Sequence, residues 1–253
     1  MNIPKFYEGD INILNDVSPK LAIVGSRLIL DCTKNYLEDL FHELSNFDIT
    51  IVSGGMYGVD IFAHNLALKN NMKTIVVLPQ GISIFKKSIL FRQLKIDKNS
   101  KILLTSEYEP DFKPRKYTFI ERNKIIAKYS QVTLVAQASI KSGSISTALN
   151  ALKLSKKVIA IPLSIDVTQF QGTNFLISNG AQIYLSPKTV LENYNLTANS
   201  IEDRIIGLID KSTKINFDDL VEKVETNSSI VQKTLLKLIL EGRVFYDGGE
   251  YFL

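Results

Sequence analysis

Two short glycine-bearing turns hold the residues best placed for chemistry, Gly25-Ser26-Arg27 and Lys141-Ser142-Gly143-Ser144 with the Ile145-Ser146-Thr147 that follows. Each follows an apolar run, residues 21–24 or 132–136, and each precedes a helical pattern. Strand-to-helix turns of a parallel sheet lie along its carboxyl edge, where unpaired N–H groups at helix starts attract anions. Here each turn adds a long cation, Arg27 or Lys141. Open amides, small side chains and two cations, with no evident nucleophile, suit phosphate binding rather than bond breaking. A third turn, Ser53-Gly54-Gly55 with Gly58 and Asp60, is a further anion-cradling candidate, its glycines permitting positive φ or close backbone approach. Asp60 fits best as a first-turn carboxylate that satisfies helix N–H groups. Arg122 and Asn123 lie within a loop that turns into a helix with cations on or beside it, and Phe119 before them is open to two readings, a base-stacking platform or a core anchor.

The elements that must position these residues follow from periodicity. Residues 21–24, 49–52, 73–78, 102–104, 132–136 and 157–162 are short continuous apolar runs, as expected of strands covered on both faces. Between them lie helical patterns at 31–46, 61–69, 85–101, 114–127 and 147–155, the third of them amphipathic and basic. His64 falls inside a helix and suits packing rather than catalysis. At least five strand-then-helix units predict an α/β fold with an open, doubly wound, mostly parallel sheet over residues 20–193, preceded by an arm, 1–19. The Asn-rich stretch 194–200 is the expected linker. Beyond it, three short helices at 201–210, 217–224 and 229–240 and a hairpin at 243–252, turning at Asp247-Gly248, predict a small winged-helix-like domain, 201–253. Its third helix carries only Lys233 and Lys237, so a protein-contact role is expected in preference to duplex binding.

Composition narrows the classes. The chain has 253 residues, 45% of them hydrophobic, enough for one sizeable domain and a small second one. No run of about 18 apolar residues occurs and the polar start lacks a signal-peptide core, so a cytoplasmic protein without membrane association is expected. One cysteine, Cys32, with His42 and His64, makes no metal-ligand cluster; no metal and no cofactor is expected. Residues 1–199 hold 23 Lys and Arg against 16 Asp and Glu, while residues 200–253 hold 7 against 10. A polyanion is thus drawn to the larger segment.

The residues 25–27, 53–55, 58–60, 63–64, 106–110, Phe119 with 122–127, 141–144 with 147–148, and 172–181, in that order, resemble the DNA-processing protein A (DprA/Smf) family. The resemblance covers about residues 20–185 and implies a Rossmann-like domain that binds single-stranded DNA, homodimerises, protects incoming DNA and helps load the RecA recombinase in natural transformation. Its strand-contacting positions carry over first onto Arg27 and Lys141, then onto Ser26, Ser142, Gly143 and Asn123. Gly25, Ser53, Gly54, Gly55, Arg122 and Ser144 complete the expected nucleic-acid-binding set. Pro162-Leu163 departs from the family's frequent Pro-Gly, and the short arm cannot supply the helical N-terminal module of many members.

The rival class is enzymatic. Lysine-decarboxylase-like phosphoribohydrolases share the strand-to-glycine-turn layout, but their catalytic carboxylate after the turn has no counterpart in Ala148-Leu149-Asn150. A dinucleotide-dependent oxidoreductase fits less well, because Gly25-Ser26-Arg27 lacks the remaining glycines of G-x-G-x-x-G. No catalytic residue is therefore assigned.

Overall fold

The protein is described as a computed structural model over residues 3–194, 196, 198–224 and 226–253. It divides into two compact units, Met1–Asn193 and Tyr194–Leu253. The expected linker therefore belongs to the second unit, and its Asn195 and Thr197 lie outside the described residues.

The first unit alternates strands and helices in chain order. They are β1 (Phe6–Gly9), α1 (Asn12–Asn15), β2 (Lys20–Gly25), α2 (Asp31–Leu44), β3 (Thr50–Ser53), α3 (Val59–Lys69), β4 (Thr74–Leu78), α4 (Ile82–Lys86) and α5 (Ile89–Gln93). After these come β5 (Ile102–Ser106), α6 (Lys116–Tyr129), β6 (Val132–Gln137), α7 (Gly143–Lys153), β7 (Lys157–Ala160), α8 (Gln171–Ser178), β8 (Gln182–Ile183) and α9 (Pro187–Glu192). One eight-stranded sheet results, in the order β1-β5-β4-β3-β2-β6-β7-β8. Every pairing is parallel except β1 against β5. The apolar runs make the central strands because a parallel sheet is covered on both faces: β3, β4 and β6 are buried at every position. Ala22, Val24, Val52, Ile75, Val77 and Leu103 pack with Ile126, Ala127, Ala148 and Ala151 into one core.

Three expectations change. The arm contributes a strand, β1, whose burial is slight and whose sequence carries no apolar run. The basic stretch 85–101 is not one helix but the end of α4, the five-residue α5 and a loop. Ser88 divides it, its hydroxyl donating to Phe85 O at 2.6 Å and accepting from Phe91 N at 3.3 Å, so one helix ends and the next is capped there. Finally, β8 extends the parallel sheet beyond the expected last strand.

Strand order reverses at β2, with β3 on one side and β6 on the other. Loops leaving β2 and β6 therefore part in opposite directions and open a crevice at the carboxyl edge. The two strands shift register between Val24 and Gly25, which pairs Gly25 with Gln137 at the mouth of the crevice.

The second unit holds α10 (Ala198–Ser212), β9 (Ile215–Asn216), α11 (Phe217–Val224), α12 (Ser228–Leu240), β10 (Phe245–Asp247) and β11 (Glu250–Phe252). Three helices and an antiparallel sheet ordered β10-β11-β9 make a winged-helix-like domain. The hairpin turns on Gly248 and Gly249, at φ 60° and 90°, one residue beyond the expected Asp247-Gly248, because Asp247 pairs with Glu250 and both turn centres must be left-handed. Buried Glu202 on α10 accepts from Lys237 Nζ at 2.6 Å and Arg243 at 3.2 Å. Lys237, one of two cations on the third helix, is thus spent inside the unit. Among the described residues, no helix is long and apolar enough to cross a membrane.

Candidate nucleic-acid interface

The crevice holds a cavity of about 370 Å³. Lining it are Gly25, Ser26 and Arg27 from the β2–α2 turn, Arg122 and Asn123 from α6, and Lys141, Ser142, Gly143 and Ser144 from the β6–α7 turn. Segments more than a hundred residues apart are thereby brought together. Ser53, Gly54 and Gly55 do not line it. Ser53 is fully buried and its hydroxyl donates to Ile23 O at 2.6 Å, so this turn builds the wall from behind.

Each turn is held by its own hydrogen bonds. Ser26 N donates to Gln137 O at 2.8 Å. The buried Gln137 side chain accepts from Leu30 N at 3.0 Å and Thr33 Oγ1 at 2.9 Å, and donates to Leu28 O at 2.8 Å, fixing the loop that carries Arg27. On the other side Ser142 caps α7, its hydroxyl accepting from Ser144 N at 3.3 Å and lying 2.7 Å from Ser144 Oγ. The helix therefore starts at Gly143, earlier than its periodicity suggests, and Gly143 occupies the first position, whose N–H has no acceptor within the helix. Gly172 N donates to Ala138 O at 2.8 Å and pins the strand end leading to Lys141.

The cations divide into two kinds. Arg27 and Lys141 are exposed, and neither has a carboxylate partner among the described residues. Arg122 is 6% exposed and committed inward, donating to the carbonyls of Gly54 and Val77 and, at 3.1 Å, to Asn123 Oδ1. Asn123 Nδ2 donates to Gly143 O at 3.1 Å. Two consecutive residues of α6 thus tie the glycine turn after β3 to the turn that starts α7. Gly54 must be glycine here: a Cβ would lie 1.9 Å from the Arg122 guanidinium and 2.6 Å from Asp60 Oδ2. Gly58, at φ 79°, is similarly confined, since a Cβ would lie 2.2 Å from Ser26 O.

Asp60 was visible in the sequence as a helix-start carboxylate; its place in the cavity wall was not. It accepts from Met56 N at 3.3 Å and is 7% exposed. Burial pushes its carboxyl above the usual range, while the Arg122 charge and the N–H groups of Met56 and Gly54 oppose that rise. Burial lowers the Arg122 pKa, which Asp60 opposes and Arg27 reinforces. Phe119 lines the cavity half-buried, with both Arg27 and Arg122 5.9 Å from its ring centroid. The core side of this helix is taken instead by Thr118, Ile126 and Ala127. His64 is buried, 2.7 Å from Thr74 Oγ1, and burial lowers its pKa to about 3, so its ring is neutral. Among the described residues no group of three or more His, Cys, Asp or Glu side chains is placed to hold a metal ion.

Met56 and Ser139 also line the cavity and were not singled out by sequence, whereas Ile126 and Thr147, which line it too, fall within stretches that were. Thr147 lies one turn into α7, so its period marks it. No local signal marks Gln137, which acts through residues 104 to 109 positions away.

Comparison with protein families matches residues 3–195 to the family described as DNA recombination-mediator protein A. The DNA processing protein DprA of Streptococcus pneumoniae is 36% identical over 189 residues, 75% of this chain and 66% of its own length. An X-ray structure of DNA processing protein A from the same organism superimposes with a TM-score of 0.68 at 37% identity, covering 74% of this chain and 65% of that one. A second, of DNA processing protein A from Helicobacter pylori, gives 0.64 at 31% identity, covering 77% and 93%. Its description concerns that protein's single-stranded DNA binding mode. The match to the pneumococcal protein spans just under two thirds of its length.

Proposed function

The chain belongs to the DNA recombination-mediator protein A family, and from that premise we propose that its cavity binds the backbone of single-stranded DNA. One observation carries the reading: Arg27 and Lys141, distant in sequence, face one cavity with no carboxylate partner among the described residues, beside the open first turn of α7. Arg27, Lys141 and the amide of Gly143 take phosphates, while Ser26, Ser142 and Ser144 supply hydroxyls. Phe119 offers a base its ring. Such contacts do not read base edges, so binding is tolerant of sequence and sensitive to salt.

Single-strand affinity falls with salt at a logarithmic slope of about −0.7 per neutralised phosphate. Arg27→Ala and Lys141→Ala should each weaken oligothymidylate binding and flatten that slope by about 0.7. Unchanged affinity and slope in both variants would remove the reading. Homodimerisation, protection of incoming strands and delivery to RecA in natural transformation accompany the family and are part of the proposal; a monomeric mass across micromolar concentrations counts against the first. No covalent chemistry is assigned. Asp60, the one carboxylate among the residues named in the wall, is engaged by the backbone N–H groups of Met56 and Gly54 and by the Arg122 charge rather than presented to a ligand. Release of free base from AMP would favour the phosphoribohydrolase class instead.

A further inference from the structure

The loop from β5 into α6 carries a stack that the cavity does not use. Tyr108 and Phe112 lie nearly parallel, ring centroids 4.8 Å apart and planes 17° apart. Arg115 sets its guanidinium 5.6 Å from the Phe112 centroid. Arg115 is exposed and has no carboxylate partner among the described residues. Its backbone starts the helix, Arg115 N donating to Thr118 Oγ1 at 3.1 Å and Arg115 O accepting from Thr118 N at 3.0 Å. The side chain is free of that duty.

The stack stands on the same rim as the cavity. Ser106 Oγ donates to Gln80 O at 2.8 Å and Gly81 N to Phe112 O at 3.0 Å, fixing the loop over the carboxyl ends of β4 and β5. From there α6 runs to Phe119 and the cavity wall. Arg115 and Phe119 are four residues apart, about 6 Å along the axis. That exceeds the roughly 3.4 Å that one stacked nucleotide occupies along a strand. Residues 107–116 hold three carboxylates, Glu107, Glu109 and Asp111, against three cations, Lys113, Arg115 and Lys116. The segment therefore offers a planar surface rather than net charge.

We propose that Arg115, backed by Phe112 and Tyr108, is a second stacking station for a base of the same strand, at least one nucleotide beyond the base at Phe119. This rests on the reading that a single strand occupies the cavity. Guanidinium planes stack on unpaired bases, and every base offers a π face. A duplex, whose bases are already stacked, gains nothing from the station.

A length series of oligothymidylates, titrated into the full chain and its variants at several salt concentrations, tests it. Arg115→Ala should leave affinity for the shortest oligomer that binds unchanged. Longer ones should lose about 5- to 150-fold, the range spanned by stacking on one base, with no change in salt slope. Arg115→Lys keeps the charge but not the plane and should not rescue. Equal loss at every length, no loss at any, or rescue by lysine with a slope that moves with the charge would overturn the station. Arg27→Ala in the same series separates the two readings. If it weakens all lengths while Arg115→Ala weakens none, the cavity stands and the station falls. If neither Arg27→Ala nor Lys141→Ala weakens any length, the cavity reading fails first.

Discussion

Replacing Arg122 by methionine keeps most of the side-chain volume and removes the charge. The carbonyls of Gly54 and Val77 lose their donor, Asn123 Oδ1 loses another, and Asp60 is left buried without its cation. Two buried carbonyls left without their side-chain donor and a buried carboxyl left without the nearby charge together cost about as much as a broken buried pair, about 3–5 kcal/mol. For a unit of this size each kcal/mol moves the melting temperature by about 2–4 °C, so Arg122→Met should lower it by about 6–20 °C. The loss should also depend on pH. The folded pKa of Asp60 is already raised by burial, so its contribution to stability is present below the unfolded value and lost as pH rises through the folded one. Without Arg122 that pKa rises further, and the deficit of Arg122→Met should be larger at pH 8 than at pH 5. Asp60→Asn in the same background should recover part of the loss, giving a coupling of about 0.5–3 kcal/mol between the two positions. Thermal scans and urea unfolding of the wild type, both single variants and the double variant, followed by far-ultraviolet circular dichroism at the two pH values, measure the melting temperature, the pH dependence and the coupling. Strictly additive losses, or a deficit that shrinks towards pH 8, would refute the clamp.

Two further outcomes follow from one buried and one half-buried group. His64 titrates at about 3 in the fold against about 6.5 unfolded, so the unfolded chain binds more protons between these values. Its contribution should fall by about 2 kcal/mol from pH 7 to pH 5, and the difference in stability between wild type and His64→Met across that range should show it. Lys156 Nζ donates to the carbonyls of Ala127, Lys128 and Ser130 at 2.8, 2.7 and 2.6 Å, closing the carboxyl end of α6. Lys156→Met should cost about 1–3 kcal/mol by urea midpoint and speed amide exchange at the end of that helix.

What could be foreseen from residue order divides along a physical line. Strands β2, β3, β4, β6 and β7 were legible because a doubly covered strand must be apolar throughout; the hairpin was legible from its glycines, but its turn lies one residue later than expected, since Asp247 pairs with Glu250 and leaves Gly248 and Gly249 at the centre. Strand β1 was not, since an edge strand that exposes most of its residues needs no apolar run. Arg27 and Lys141 were legible as cations at strand ends, where topology alone puts them on one rim. Arg122 was legible only as a cation on a helix, and its role was not, because only the path of the chain brings the carbonyls of Gly54 and Val77 within reach of its guanidinium. Ser53, Gly54 and Gly55 carried an anion-cradling pattern but serve as a wall, their polar groups turned towards the protein itself.

Helix α6 measures the interface in residues as well as in ångströms. Successive side chains on an α-helix project about 100° apart, and Arg122 and Asn123 use that angle to reach two different loops. Adding or deleting one residue between Phe119 and Arg122 would swing the guanidinium by the same angle and leave Gly54 facing a void. Descendants of this chain can therefore vary freely at outward positions such as Ile120, Glu121 and Lys124. The count of residues from ring to clamp is what inheritance must keep.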